Sequence, residues 1–248
     1  MKRKYIIIIL SALFVFVGLV SVCIITLPRV IERFFYPLAP PMPPVVSKST
    51  SQILSELEAT LKTNAPRVLE HMQAGLSDGE IKKLELAAGI QLPADIKTLY
   101  RWHDGCQSRD PLSFSPIPGH RFLPLNESLG LSSILSNQLA SATASQRAVA
   151  NVVAGHRKSW ICLFDDGSGD GYFYDPKRKT EEGAIFYTFT QDASFVFFPS
   201  LKNLLAGTVK CYETGAYSWT NQPSGPGLDE DFDKSKAVWD EFGASNIR

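Results

Sequence analysis

The sequence lacks two of the short motifs that identify common nucleotide-binding and metal-dependent active sites. It contains no phosphate-binding loop of the P-loop type and no H-E-x-x-H zinc motif. Histidine is scarce, with four residues, and no pattern around them identifies a nucleophile to activate. We therefore predict that the chain is not an enzyme, with no catalytic residues, no metal, no cofactor and no small-molecule substrate.

Cysteine is also scarce, with four residues in the chain. Cys23 lies in an apolar N-terminal run, which leaves Cys106, Cys162 and Cys211 in the body, an odd number that cannot pair completely within one chain. Cys162 is expected to be a buried small hydrophobic residue. A disulfide between Cys106 and Cys211 is possible if the body is exported to an oxidising compartment. None of these spacings is that of zinc ligands.

The chain after its first 33 residues has no excess of basic residues. The formal net charge is zero, but five of the 25 basic residues lie within the first 33 positions, where there is only one acidic residue. The remainder is mildly acidic, with 24 acidic and 20 basic residues. Nucleic-acid binding needs a clustered basic face, so we expect no nucleic-acid partner.

No charged residue occurs between Tyr5 and Leu27, a run of 23 residues that reads YIIIILSALFVFVGLVSVCIITL. As a helix this run would be roughly 35 Å long, enough to cross a hydrocarbon core of about 30 Å. A cleaved signal peptide has a shorter apolar region and a small-x-small site, which is missing here. The sequence predicts a transmembrane helix at 5–27, after a basic flank at 1–4.

The basic residues around this helix predict its orientation. Lys2, Arg3 and Lys4 precede the helix, whereas Arg29 and Arg33 follow it. The positive-inside rule then favours a cytoplasmic N-terminus. We expect a single-pass protein of the inner or plasma membrane, with its body outside the cytoplasm.

A proline-rich segment at 28–48 follows the predicted helix. Its five prolines from Pro37 to Pro44 have fixed φ and no backbone donor, which indicates an extended, semi-rigid spacer. A ligand for a proline-recognition domain is the alternative. Phe34, Phe35 and Tyr36 are expected at the membrane interface.

The body begins with helix patterns. Ser49 with Gln52 and Ser77 with Glu80 have capping-box spacing. A short helix is predicted around 66–73, and Gly89 is a stop signal for the helix that begins after Ser77. The first helix should bury one stripe of apolar residues, namely Ile53, Leu54, Leu57 and Leu61.

A further helix is predicted at residues 92–105, which read LPADIKTLYRWHDG, with His103 on its inward face and Gly105 as its end. The His103–Asp104 pair could suggest catalysis, but packing and capping explain both residues. After a loop at 106–121, Asn126 is expected to cap another helix that extends to about 141.

Short runs rich in aromatic and β-branched residues follow, separated by turn signals: NVVAG, SWICLF, GYFYDP and AIFYTFT. A helix is expected after Pro199, then a flexible joint at 221–227, then an amphipathic helix through Phe232, Val238, Trp239 and Phe242. Helices first and consecutive strands afterwards predict an α+β domain with an antiparallel-rich sheet at 49–213, with a partly flexible extension at 214–248.

The run FDDGSGDGYFYDP at 164–176 permits three interpretations. The first is a metal site, because Asp166, Ser168, Asp170 and Gly171 match the first half of a calcium-binding EF-hand loop. The twelfth position is Lys177, where the motif requires a bidentate glutamate, and the flanks resemble strands.

The second interpretation is a plain hairpin tip. The third is a partner-binding tip, with Asp165, Asp166, Asp170 and Tyr172 as candidate contacts. A metal-dependent hydrolase that uses the carboxylates of 165–170 remains the least favoured alternative.

The residues at 92–105 resemble the entry signature of the SUKH superfamily, the Smi/Knr-type domain. In that family a Leu-Pro step opens a helix that closes in an Asn-Gly or Asp-Gly pair, here Asp104-Gly105. The short helix around Ser77, the strands around the acidic turn, and Ala193-Ser194-Phe195 before the last helix are also similar. The resemblance covers about 50–212, and the proline-rich stretch near 107–120 departs from the family pattern.

The resemblance implies a non-enzymatic protein-binding module. Bacterial members are mostly immunity proteins that bind and neutralise toxins, and fungal members are scaffolds in cell-wall signalling. We therefore expect a membrane-anchored immunity-like protein with a protein partner, and an envelope scaffold or regulator is the alternative.

Overall fold

A computed structural model describes residues 43–107, 113–132, 160–176, 183–188, 195–222 and 225–243. The helices are α1 (Thr50–Asn64), α2 (Pro66–His71), α3 (Asp78–Ala88), α4 (Ala94–Trp102), α5 (described over 125–132), α6 (Leu201–Glu213) and α7 (Phe232–Phe242). The strands are β1 (Met72–Ala74), β2 (His103–Cys106), β3 (Arg121–Phe122), β4 (Ile161–Asp165), β5 (Gly171–Asp175), β6 (Ala184–Thr188), β7 (Phe195–Phe198), β8 (Tyr217–Gln222) and β9 (Gly225–Glu230).

The N-terminal predictions fall mostly outside these ranges. No helix in the described part of the chain is long and apolar enough to cross a membrane. The predicted span at 5–27 and most of the predicted spacer at 28–48 lie outside the described residues, as does the predicted strand NVVAG. They stay predictions.

Helices α1 and α3 begin where the sequence predicts. The Ser49 hydroxyl accepts the N–H of Gln52, and the Gln52 side chain accepts the N–H of Ser49. Ser77 and Glu80 form the same reciprocal pair at α3. Each box satisfies two N–H groups that a helix N-terminus leaves without intrahelical partners. The four residues of the predicted α1 stripe are all buried, as expected.

The helix predicted to run to Gly105 ends earlier, at Trp102. His103 to Cys106 form β2 instead, which pairs antiparallel with Met72 to Ala74. The inward helical position predicted for His103 is therefore wrong. The reason is tertiary: the backbone groups of β2 find partners in β1, and the His103 ring lies between the Gln73 carbonyl, 2.8 Å from Nδ1, and the Glu58 carboxylate, 3.3 Å from Nε2.

Five antiparallel strands form the main sheet in the order β3-β4-β5-β6-β7. Tyr172 and Tyr174 face the core shared with the helices, whereas Phe173 lies with Trp160 and Cys162 on the opposite face. Helices packed on an antiparallel sheet confirm the predicted α+β class. Strict alternation along a strand would place Phe164 on the same face as Cys162, but a register shift between these residues places Phe164 on the helical side.

The C-terminal segment packs against the same core. The Trp239 ring lies 5.3 Å from Phe198 and 6.3 Å from Tyr217, between ring centroids. The predicted joint at 221–227 contains the adjoining ends of β8 and β9, which pair with each other. Helix α7 occurs as predicted, but Phe232 is 72 % exposed and does not belong to its buried side.

The thiols of Cys106, Cys162 and Cys211 are all buried. Cys106 and Cys211 are not joined by a disulfide, and the Cys106 sulfur accepts a hydrogen bond from the Phe114 N–H at 3.1 Å. Burial also raises the pKa of the Cys211 thiol to about 12, which keeps it protonated and unreactive.

Gly105 lies against the backbone that follows β3. Its φ is +68°, and a Cβ built there would lie 2.4 Å from the Leu123 carbonyl carbon and from the Pro124 nitrogen. Gly89, which ends α3, has nearly the same φ of +66° but no atom within 4 Å of such a Cβ. An alanine at either position must adopt a left-handed backbone, but only an alanine at Gly105 also meets crowded atoms. Comparing the two substitutions therefore separates the free-energy cost of the backbone conformation from that of the crowding.

We predict that Gly105→Ala destabilises the protein much more than Gly89→Ala. The left-handed backbone alone costs an alanine about 1–2 kcal/mol, and crowding against backbone atoms adds roughly 1–3 kcal/mol at Gly105 only. Urea unfolding of the full chain in detergent micelles measures the difference. Equal losses for the two variants would contradict the close packing at Gly105.

Candidate functional site

The acidic turn, at residues 165–171, is the tip of the hairpin formed by β4 and β5. This agrees with the interpretation of the run at 164–176 as a hairpin tip. Asp165 ends β4 and pairs with Gly171 at the start of β5. The Asp166 carboxylate accepts the Ser168 hydroxyl, the Ser168 N–H at 2.9 Å and the Asp170 N–H at 3.0 Å. Burial disfavours ionisation of Asp166, but these hydrogen bonds outweigh it and lower the pKa of its carboxyl group.

Tyr172, the fourth candidate contact of the turn, is not accessible to a partner. Its side chain is 3 % exposed because its ring packs against His120, Tyr187 and Phe197, with centroids 4.7–5.3 Å away. Tyr172 is therefore a core residue, which corrects its prediction as a contact. Two aromatic residues that contact Tyr172, His120 and Tyr187, are half-buried and therefore partly exposed at the surface.

His120 and Tyr187 hydrogen-bond to each other, with 3.3 Å between Nε2 and the phenol oxygen. Burial lowers the pKa of His120, although the carboxylates of Asp166 and Asp170 favour its charged form. Burial, and then the charges of Asp170 and Asp166, raise the pKa of Tyr187 to about 12. Both groups are therefore neutral at pH 7.

The turn does not have the geometry of a metal site. The Asp166 oxygens bind the backbone of their own turn, and the flanking elements are strands rather than the helices of an EF-hand. Lys177, at the twelfth position, lies outside the described residues. Within the described ranges, no three histidine, cysteine, aspartate or glutamate side chains are grouped so that they could hold a metal ion.

Residues 75–79 spell G-x-S-x-G, the pattern of a serine nucleophile, and they lie between a strand and a helix. Ser77 nevertheless has a relaxed extended backbone, with φ −70° and ψ 160°, rather than the strained turn of a nucleophile elbow. Its hydroxyl donates to the Glu80 carboxylate at 2.6 Å instead of to an imidazole. Ser77 is a helix cap.

Asp104 caps α5 from a neighbouring strand. Its Oδ1 accepts the N–H of Leu125 at 2.8 Å, and its backbone carbonyl accepts the Gln73 side-chain amide at 2.9 Å. Asn126 was predicted to be the cap of this helix, but it lies one residue inside it and its Oδ1 accepts the N–H of the adjacent Glu127. The Asp-Gly pair of the predicted signature is thus a structural joint: Asp104 caps the helix and Gly105 allows the close approach.

A cleft of about 450 Å³ lies beside this joint, between α3, β2 and the start of α5. Its apolar lining is formed by Leu76, Leu84 and Pro124. Its polar lining consists of Gln73, Glu80, Lys83, Asp104, Gln107, Asn126 and Glu127. We call this the joint cleft.

The charge of the joint cleft is mainly negative. The pKa of Asp104 is raised, mainly because the carboxyl group is partly buried. The nearby carboxylates of Glu80 and Glu127 raise it further, whereas the hydrogen bond from the Leu125 N–H lowers it. Lys83 is the cation among the lining residues. Three carboxylates and one ammonium group therefore line the cleft, and one of these carboxylates, that of Glu127, is paired with Arg121.

Arg121 connects the joint cleft with the acidic turn. Its guanidinium donates to the carbonyls of Cys106 and Gln107 at 3.0 and 3.2 Å, and it pairs with the Glu127 carboxylate. Its backbone lies opposite Asp165 in the pairing of β3 with β4. The cleft and the turn are therefore neighbours on either side of one arginine.

The model of the SMI1 / KNR4 family (SUKH-1) matches the chain over residues 75–207. This range is more than half of the chain and contains the acidic turn and every lining residue of the joint cleft except Gln73. The chain belongs to the SUKH-1 family. No curated protein matches the chain at a significant level.

Family membership confirms the resemblance seen at the Asp-Gly pair. The SUKH-1 match begins at Gly75, next to the α3 cap, and ends at Gly207 within α6. Sequence reasoning predicted the helices of this region and the strands β4, β5 and β6, but it missed β2, β3, β7 and the joint cleft. The only local signals were the Ser77–Glu80 box and the Asp-Gly pair, and nothing in the sequence places Glu127 opposite them.

We predict that Asp104→Ala and Asp104→Asn have different effects on stability. Alanine removes the cap and leaves the N–H of the buried Leu125 without its acceptor, which costs about 1–2 kcal/mol. Asparagine keeps an acceptor oxygen, and it also removes a charge that its surroundings disfavour, so the expected change is within about 0.5 kcal/mol. Urea unfolding of the full-length variants tests this, and equal destabilisation would refute the cap.

Proposed function

We propose that the chain is a membrane-anchored, non-enzymatic binding module of the SUKH type that binds and neutralises a protein toxin. The observation that carries the proposal is the joint cleft, whose lining lies in the family-matched region except for Gln73. The cleft has a volume of about 450 Å³, and its lining combines an apolar floor with polar side chains that could contact a side chain of a partner protein. Such a mixture is typical of a recognition surface.

The acidic turn supports the same proposal in a smaller role. Asp165 and Asp170 are half-buried at the tip, next to the exposed Gly167, Ser168 and Gly169. Because Asp166 is held by its own turn, the tip is a preformed shape that a partner meets without an ordering cost. The turn and the joint cleft, joined through Arg121, form the partner surface in this proposal.

The membrane anchor is the predicted helix at 5–27, with the N-terminus in the cytoplasm and the body outside. The described end of the spacer supports a fixed attachment to the domain. The buried Asn203 side chain donates to the Pro44 carbonyl at 3.2 Å and accepts the Val46 N–H at 3.3 Å. The spacer thus joins the domain at a defined point on α6.

A second candidate is an envelope scaffold or regulator. The proline-rich spacer favours it, because a semi-rigid segment would hold the domain at a set distance from the bilayer. Both candidate functions involve binding to a protein. They differ in the phenotype of a gene deletion, which is toxin sensitivity for an immunity protein and a cell-wall defect for a scaffold.

We predict that deletion of the gene sensitises cells to toxins delivered by sibling strains, with no change in cell shape or in tolerance of wall stress. Competition assays between the deletion strain and its parent measure this, and re-expression of the full chain is the control. Wall defects with unchanged survival in competition would favour the scaffold and contradict the immunity role.

A reporter fused after Arg248 tests the orientation. We expect activity from a phosphatase that works only after export, because the positive-inside rule places the body outside the cytoplasm. A fusion that instead gives activity from a reporter restricted to the cytoplasm would reverse the proposed orientation.

A further inference from the structure

The joint cleft has hydrogen-bond acceptors that the fold leaves unused. Asp104 Oδ1 is bound to Leu125, whereas its Oδ2 makes no hydrogen bond to any residue in the described ranges. Glu80 uses Oε2 for both contacts with Ser77, which leaves Oε1 for a ligand. Because both side chains line one concave space, a bound donor could meet both carboxylates together.

The floor of the cleft suits an aliphatic stem. Leu76 and Leu84 are partly buried against the core, and Pro124 is buried beneath the cleft. A long side chain would lay its methylene groups on these three residues and carry its polar end to Asp104 and Glu80. A short polar group would leave the floor exposed.

The charge of the lining selects a cationic end group. Glu127 is neutralised by its ion pair with Arg121, whose guanidinium also donates to two carbonyls, so the charges that remain in the lining are Asp104 and Glu80 against Lys83. A planar guanidinium has several donors in a fixed fork and matches carboxylates through paired hydrogen bonds, whereas an ammonium is a compact point charge. Arginine therefore fits the cleft better than lysine.

We propose that the joint cleft receives an arginine side chain presented on an exposed peptide segment of the partner. This inference rests on the proposed function, and it names the chemistry by which the partner is recognised. The aliphatic part of the arginine packs on the apolar floor, and its guanidinium binds the unused oxygens of Asp104 and Glu80.

The test uses two matched peptides and the isotope-labelled full chain in detergent micelles. Each peptide has five residues, with acetylated and amidated ends and glycines around one central residue, which is arginine or its neutral isostere citrulline. Backbone amide resonances report both the affinity and the place of binding. We expect the arginine peptide to shift resonances at 104–107 and 125–127, and to bind at least tenfold more tightly than the citrulline peptide.

The double variant Asp104→Asn with Glu80→Gln provides the decisive comparison. Asparagine keeps the acceptor for Leu125, and glutamine also fits the third position of a capping box, so both helix caps are retained while two charges are lost. We expect at least a tenfold loss of affinity for the arginine peptide. Glu241→Gln, an exposed position on α7 outside the cleft, is the control and should bind as the parent does.

Three results would overturn the inference: no shift at the cleft, equal binding of the two peptides, or unchanged binding by the double variant. The proposed function is tested separately by protection against toxins. If the double variant protects cells as well as the parent does, the cleft inference fails and the immunity role stands. If the arginine peptide binds but deletion causes no sensitivity, the immunity role fails and the cleft inference stands.

Discussion

The hydrogen bond from the Leu125 N–H to the Asp104 carboxylate is the interaction on which the family-matched region depends. It joins the small β1-β2 ladder to the helix that follows β3, and Gly105 allows the two backbones to approach closely. The same carboxylate then has one oxygen left for solvent or a ligand. One residue thus serves both the fold and the cleft, because an aspartate has two oxygens and the cap needs only one.

Local chemistry predicted much of the fold. The boxes at Ser49 and Ser77 and the stop at Gly89 depend on residues within one turn of each other, so the sequence alone determines them. His103 could not be assigned in this way, because the strand it begins is defined by a partner some 30 positions earlier. The side of the sheet on which Phe164 lies could not be predicted from the sequence either, since a bulge has no clear signature in an apolar run.

The candidate site was harder to predict than the fold. The acidic turn drew attention because its carboxylates are adjacent in sequence, yet Asp166 is used by the turn itself and Tyr172 by the core. The joint cleft is assembled from Glu80, Asp104 and Glu127, which are each more than 20 positions apart. Each of these looks like an ordinary cap or surface residue in the sequence, and only the packing of α3, β2 and α5 brings them together.

The central claim is that the joint cleft is the surface that meets a protein partner. Photo-crosslinking in living cells tests it most directly, with the crosslinking amino acid at Gln107 on the cleft and, as a control, at Glu241 on α7. The account predicts a discrete protein adduct from position 107 that disappears in the Asp104→Asn, Glu80→Gln background, and none from position 241. Equal yields of adduct from both positions would contradict it, and so would an adduct from position 107 whose yield is unchanged by those two substitutions.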